Sequence, residues 1–438
     1  MPVPAALARA RFPAPVLEVL RQLGKAGHRS WLVGGAVRDL LLHRPRPAAD
    51  FDVATPAHPE EVVRLFQRVI PTGVAHGTVT VLLSGEHVEV TTFRGEGAYR
   101  DGRRPESVTF LAEVEADLAR RDFTVNALAY DPLQPELRDP FGGRADLKRR
   151  CVRAVGDPAA RFSEDGLRPM RAVRFVAQLG FTLDRTTRRA IPGALPVVRQ
   201  VAAERLTEEL SRLLVAPRAV EGLRLLRATG LLGVVLPALA ALASRAQDHA
   251  FGVAGGAPPE LAPRLAALLH LLEPGQREAD LAALRLARSV AEEALHLVRA
   301  FPCRVKRRPG AVLPGAGDAE VRRWVSRLGA DRAGMVLALA GAEAQGARSD
   351  RRRGALAEVK EMKARVEAVL ATRSPLSVRD LMLGGDEVAE ALGTGPGPRV
   401  GEALRYLLDR VLEEPALNDP ERLRAALREW SAGGTERI

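Results

Sequence analysis

The chain's hydrophobic and polar positions follow two rhythms, and the change falls near residue 160. Apolar residues recur at helical spacing over about 14–26. Short β-rich runs follow at Trp31–Val33, Asp50–Ala54, Thr78–Leu83 and His87–Phe93. The last two flank Ser84-Gly85-Glu86 and read as a hairpin. Helical segments fall between the runs, near 36–42 and 58–69. From 160 onward Leu, Ala, Arg and Glu dominate, apolar residues keep helical spacing, and strand signals nearly vanish. Gly-Pro-rich joints at 251–259, 309–317 and 393–398 break this region into segments. No fixed-period repeat is present. The pattern predicts an α/β or α+β domain over 1–150, followed by an all-helical remainder.

With 438 residues the chain exceeds one ordinary core, so two or more domains are expected. Aromatic residues make up only 4%, so the core must be built mostly of Leu, Val and Ala. The formal net charge is +11, supplied largely by arginine. Such a surface favours a polyanion, nucleic acid above all. Cys151 and Cys303 form no CxxC or CxxH pattern, so neither a disulfide framework nor a zinc site is legible, and a reducing cytosol fits. No signal-peptide pattern opens the chain. Its longest uncharged run, 228–244, contains Pro237 and falls short of a membrane span. A cytoplasmic protein without a membrane partner is expected.

Two short stretches carry candidate chemistry. In Asp50-Phe51-Asp52, strand alternation sends both carboxylates to one face and Phe51 to the other. Paired carboxylates on a rigid face suit Mg²⁺, a hard cation that takes oxygen ligands. Such ions serve in-line phosphoryl displacement. Asp-x-Asp alone also fits sugar transferases and plain surface strands. The upstream Gly34-Gly35 adds to it, because the pair follows one strand run and precedes a helix. Glycine admits close approach of a ligand, and a helix N-terminus offers free N–H groups to phosphate. Arg38, three residues on, supplies a charge-assisted donor for the same phosphates. No GxxxxGK[ST] is present, which excludes a P-loop.

The stretch LVGGAVRDLLL…DFDVAT resembles the signature of the class II tRNA nucleotidyltransferase and bacterial poly(A) polymerase family, within the DNA polymerase β-like superfamily. Four further blocks agree in order: ARRDFTVNALAYDP at 119–132, DPFGGRADL at 139–147, EDGLRPMRAVRFVAQLGF at 164–181 and ERLTEEL at 204–210. The segment 375–404 is similar to the tail of CCA-adding members. The resemblance implies an α+β fold. A polymerase β-like head with a small mixed sheet (1–150, catalytic) precedes a helical neck (151–215, base recognition) and a helical body and tail (216–438, tRNA binding). It implies Mg²⁺ held by Asp50 and Asp52, CTP and ATP as substrates, tRNA as partner, and no stable protein partner. The activity it implies is template-independent CCA addition. A-only addition, CC-only addition and poly(A) synthesis stand as alternatives within the family, and a non-catalytic RNA-binding protein as one outside it.

The resemblance also implies roles for individual residues. Arg121 pairs with nucleotide phosphates. Asp165 and Arg168 act together as a protein template that reads the base edge. They are neighbours if a helix starts near Glu164, which would keep Pro169 in its first turn. Arg171 and Arg174 continue the i+3 series, and helical drift sets Arg174 nearly opposite Asp165. They are assigned to phosphate or interdomain contacts. Asp122 and Asn126 lie one turn apart and fix their own segment. Glu89 is either a third carboxylate of the site or a solvent-facing one. The charged, glycine-rich loop 94–106 is expected to be mobile. The 393–401 turn either offers N–H groups to RNA phosphate or simply links helices. Some family members carry a hydrolase domain marked by a His-Asp pair. Here Leu271 follows His270, so His270 reads as a core or surface histidine and no second hydrolase is expected.

Overall fold

The computed structural model describes residues 3–44, 51–74, 77–96, 108–303, 313, 315, 317–347, 349–372 and 374–433. The chain divides into two compact units, one comprising 1–241 with 275–286, the other 242–274 with 287–438.

The first unit is α+β. Its described strands are β1 (Trp31–Val33), β2 (Asp52–Thr55), β3 (Val69–Gly73), β4 (Thr78–Leu83), β5 (Glu86–Thr92), β6 (Arg94–Glu96), β7 (Val108–Phe110), β8 (Ala129–Asp131) and β9 (Glu136–Arg138). Seven of them form one sheet in the order β3-β4-β5-β2-β1-β8-β9. β2 and β5 run parallel and the other neighbours antiparallel, so the sheet is mixed. All three residues of β1 are buried, which suits a central strand with an unbroken apolar run. The β4–β5 hairpin turns through Ser84 and Gly85, both at positive φ (52° and 82°), with Leu83 opposite Glu86. Two left-handed residues are what a tight hairpin turn demands. The helix Ala14–Lys25 buries Val16, Val19, Leu20 and Leu23, one stripe at helical spacing.

Three sequence expectations need correction here. The helical run expected over 58–69 stops at Leu65, and Val69–Gly73 is a strand. Pro71 hid it, and a proline is tolerated there because β3 lies at the sheet edge. β8 and β9 have three residues each, too few to display alternation. The helix expected to start near Glu164 is two helices, Pro158–Glu164 and Arg168–Leu179. Asp165 lies between them in extended backbone (φ −141°, ψ 108°), and Pro169 falls in the first turn of the second helix. The turn is pressed against the helix Arg185–Val198: a Cβ on Gly166 would stand 2.6 Å from the Val197 carbonyl oxygen. Two residues, Thr182–Leu183, pair in parallel with Cys151–Val152, so strand structure does not end at 160.

The second unit is helical. Its helices include Ser244–Gly256, Leu261–Leu269, Arg288–Ala300, Ala330–Gln345 and Pro398–Glu413. The joint expected at 251–259 is shorter than the composition suggests. Phe251–Gly256 stays helical, because Phe251, Val253 and Ala254 bury their side chains. The link at 393–397 does separate Gly385–Ala391 from Pro398–Glu413. The joint 309–317 lies mostly outside the described residues. A late core gathers Leu383, Val388, Leu407, Val411, Leu423 and Leu427. Among the described residues, no helix is long and apolar enough to cross a membrane.

Candidate active site

A cavity of about 570 Å³ opens in the first unit between the sheet and the helix Arg168–Leu179. Gly34, Gly35, Arg38, Asp52, Glu89, Arg121, Asp165, Arg168, Arg171 and Arg174 all line it. Residues drawn from three of the sequence blocks, with Glu89 from outside them, therefore meet in one place. Asp50 lies outside the described residues.

On the floor, Asp52 opens β2, with Val33 of β1 on one side and Glu89 of β5 on the other. In parallel register Asp52 and Glu89 point to the same face. Val88 and Val90 bury on the opposite face, which fixes the direction of Glu89. Glu89 is exposed, yet partial desolvation by its neighbours and the charge of Asp52 both push its carboxyl above the ordinary range, with Arg94 opposing. Two carboxylates facing the same space make a donor set suited to a divalent cation. Glu89 thus belongs with Asp52, although sequence reasoning left it undecided.

Beside them, Gly34 ends β1 and precedes the helix Gly35–Leu41 at φ 69°. The positive φ favours glycine there, and a Cβ would stand 2.7 Å from Nη1 of Arg121, so a side chain would displace the tip of that arginine. Arg121 reaches back to Asp117 (3.3 Å), which also takes Arg120 (2.8 Å). Arg38 is buried. It donates from Nε and Nη2 to Asp39 (2.8 and 3.0 Å) and from Nη1 to Asn126 Oδ1 (2.6 Å). Asn126 in turn donates to Asp122 (3.0 Å), and Asp122 accepts from Arg171 (2.7 Å). Asp122 and Asn126 do fix their segment, but as part of a relay that joins Arg38 to Arg171. The segment Thr124–Asn126 is a 3-10 turn rather than an α-helix. Burial favours the neutral acid at Asp122, yet the Arg171 charge and hydrogen bonds from Asn126 and the Phe123 N–H hold it below the usual carboxylate range.

The facing wall comes from the helix Arg168–Leu179. Arg168 donates to Glu164, to the Arg161 carbonyl (2.9 Å) and to the Arg120 carbonyl (3.0 Å). Asp165 accepts from the Leu167 N–H (2.9 Å) and lies 3.6 Å from Arg205. Arg174 does not lie opposite Asp165, as helical drift had suggested, because Asp165 is not on that helix. Arg168, Arg171 and Arg174 all face the cavity. Arg174 stacks over Phe175 at 3.9 Å and pairs with the buried Glu209. Burial, with Arg171 adding to it, pulls the Arg174 guanidinium down, whereas Asp122 holds Arg171 up. Sequence reasoning missed Glu209 and Arg205. Both sit in the ERLTEEL block, whose role was unassigned, and no local pattern shows that Glu209 meets Arg171 and Arg174 or that Arg205 meets Asp165.

The loop 94–106 begins as β6, which pairs with β7, while 97–107 lie outside the described residues. The 393–401 turn belongs to the second unit.

Comparison with known proteins agrees with this geometry. Residues 30–153 match the poly A polymerase head domain, and 180–242 match the probable RNA and SrmB-binding site of polymerase A. The chain is 38% identical over 417 residues to the CCA-adding enzyme of Geobacillus stearothermophilus, covering 94% of this chain and 96% of that protein. It is 51% identical over 224 residues to the CCA-adding enzyme of Geobacillus thermodenitrificans, a match that spans about half of each (51% of this chain, 54% of that protein). Among solved structures it is similar to the Bacillus stearothermophilus CCA-adding enzyme in complex with CTP, with a TM-score of 0.76 and 33% identity over 97% of this chain and 98% of that one. The chain belongs to the family of CCA-adding enzymes.

Proposed function

We propose that this chain adds CCA to the 3′ end of tRNA without a nucleic-acid template, using CTP and ATP bound in the cavity of the first unit. The observation that carries the reading is the meeting of a carboxylate floor, a Gly-Gly turn and an arginine wall in one cavity of a CCA-adding family member. The RNA 3′ hydroxyl attacks the α-phosphorus of the nucleotide, and pyrophosphate leaves.

Asp50 and Asp52 would hold Mg²⁺, with Glu89 at the neighbouring strand position. When bound, the ion supplies Lewis-acid stabilisation of charge on the phosphoryl oxygens. The Gly34-Gly35 turn gives the phosphates a surface without side chains, and Arg38 and Arg121 flank it. Asp165 and Arg168 offer an acceptor and a donor group to the base edge. Arg171 and Arg174 shape the wall behind the base, Arg171 by pairing across to Asp122 of the head and Arg174 by pairing with Glu209 within the neck. Residues 1–150 act as the catalytic head, 151–215 as the base-reading neck, and 216–438 as the tRNA-binding body and tail. The formal charge of +11 suits an RNA partner, and the reaction belongs in the cytoplasm.

The length of the 94–106 loop favours addition of both C and A over CC-only addition, whereas an A-only enzyme would keep the same loop and pocket and is separated by the product it makes. The test supplies CTP and ATP together to a tRNA that ends at the discriminator base, and sequences the product. Two C residues followed by one A are expected. Addition only to tRNA already ending in CC would make it an A-adding enzyme, and long A tails on unrelated RNA a poly(A) polymerase.

A further inference from the structure

We infer that the second unit carries a structural zinc site made by His249, His270, Cys303 and Glu343, remote in chemistry from the nucleotide cavity. The four come from separate segments. His249 lies in the helix Ser244–Gly256 and Glu343 in Ala330–Gln345; His270 follows Leu261–Leu269, and Cys303 follows Arg288–Ala300. One ligand atom from each lies within 4.8 Å of the others. Cys303 Sγ is 3.2 Å and His249 Nε2 3.6 Å from the same Glu343 oxygen. Zinc bonds of about 2.0–2.3 Å in a tetrahedron set donor atoms roughly 3.3–3.8 Å apart, so a small inward shift completes the shell.

The donor chemistry points the same way. His270 Nδ1 lies 2.6 Å from the Ala267 carbonyl oxygen. A ring N–H donated there leaves the Nε2 lone pair for a metal, the arrangement in which a backbone carbonyl orients a ligating imidazole. Two imidazoles, a thiolate and a carboxylate form a mixed set suited to Zn²⁺ rather than to Mg²⁺. His270 is fully buried, and Cys303 and Glu343 are each 3% exposed, as in a closed site with no open position for water. The His249 side chain retains 21% exposure and supplies the entry path. The missing His-Asp pair therefore does not leave His270 without chemistry, because the carboxylate arrives from another helix and a sulfur joins it. Four segments held by one ion would tie this unit together.

The test uses the full chain. Purified without chelator, it is expected to carry about one zinc per chain by elemental analysis. After stripping, Co²⁺ titration is expected to give a thiolate-to-cobalt charge-transfer band and the intense visible bands of a four-coordinate site. The bands should persist in Asp52→Ala, whose carboxylate site offers only oxygen, and vanish in Cys303→Ser and His270→Ala. Zinc should raise the melting temperature of the stripped wild-type chain. A stripped wild-type chain that gives no thiolate band overturns the inference, whatever the variants do. So does a band that survives Cys303→Ser, which would assign the sulfur to Cys151. In that case the four residues form only a hydrogen-bonded cluster.

Discussion

Asp52 and Glu89, thirty-seven positions apart in sequence, face each other directly across two parallel strands. Their closeness explains why the charge of one holds up the proton of the other, and it makes the floor of the cavity a three-carboxylate candidate once Asp50 is included. Asp52→Ala is expected to abolish nucleotide incorporation while leaving the fold and tRNA binding intact. Glu89→Gln should lower turnover by roughly 10–100-fold and raise the Mg²⁺ concentration needed for half-maximal rate. Near-normal turnover in Asp52→Ala would remove the metal assignment.

Glu209 neutralises Arg174 in a buried pair. Removing one member of such a pair leaves the other uncompensated, at a cost of about 3–5 kcal/mol. Glu209→Ala should lose that much in urea unfolding of the full chain. The double variant Arg174→Met with Glu209→Leu should recover a large part of it. If Glu209→Ala cost no more than a surface change, the pair would be structurally idle.

Asp122 yields a pH prediction. Its carboxyl is held below the usual range by Arg171 and its hydrogen bonds, in spite of burial. A depressed folded-state pKa adds stability that is complete above the unfolded value of about 3.9 and fades as pH falls toward the folded value. Asp122→Asn lacks this contribution. The stability gap between wild type and variant should therefore narrow as pH drops below about 4, measured by urea midpoints across the acid range. A gap that stays constant to pH 3 would show that ionisation of Asp122 is not what stabilises the relay.

Arg168→Ala tests base reading. The guanidinium also braces the carbonyls of Arg161 and Arg120, so urea stability must be followed alongside kinetics. Discrimination of CTP and ATP against UTP and GTP is expected to fall by about 1–3 kcal/mol, the cost of an unmet hydrogen-bonding group in a closed site. Catalysis with the correct nucleotide should fall less. Unchanged preference with reduced stability would make Arg168 a brace alone.

Local physics made part of this molecule legible from sequence. The Ser84-Gly85 hairpin, the Gly34 turn and the stripe of the helix Ala14–Lys25 depend on residues within a few positions of one another. What could not be read depends on pairing across the chain. Nothing near Glu89 says that its strand runs parallel to Asp52, because a parallel pair is joined through a long connection. Asp165 looked like a helix residue because its i+3 spacing to Arg168 was right. In the fold Asp165 is extended between two helices, and the adjacent Gly166 packs on Val197, thirty-one positions away. His249, His270, Cys303 and Glu343 carry no motif spacing, and only the tertiary fold gathers them.

Six of the arginines that line the cavity lean on a carboxylate: Arg38 on Asp39, Arg120 and Arg121 on Asp117, Arg168 on Glu164, Arg171 on Asp122, and Arg174 on Glu209. An incoming nucleotide therefore meets donors whose rotamers are already frozen. Immobilising a long side chain at the moment of binding costs about 0.5–1.5 kcal/mol, and here folding has done that ordering in advance. The same pairing keeps the wall close to neutral. Under the proposed function, recognition then rests on the placement of N–H groups more than on net charge.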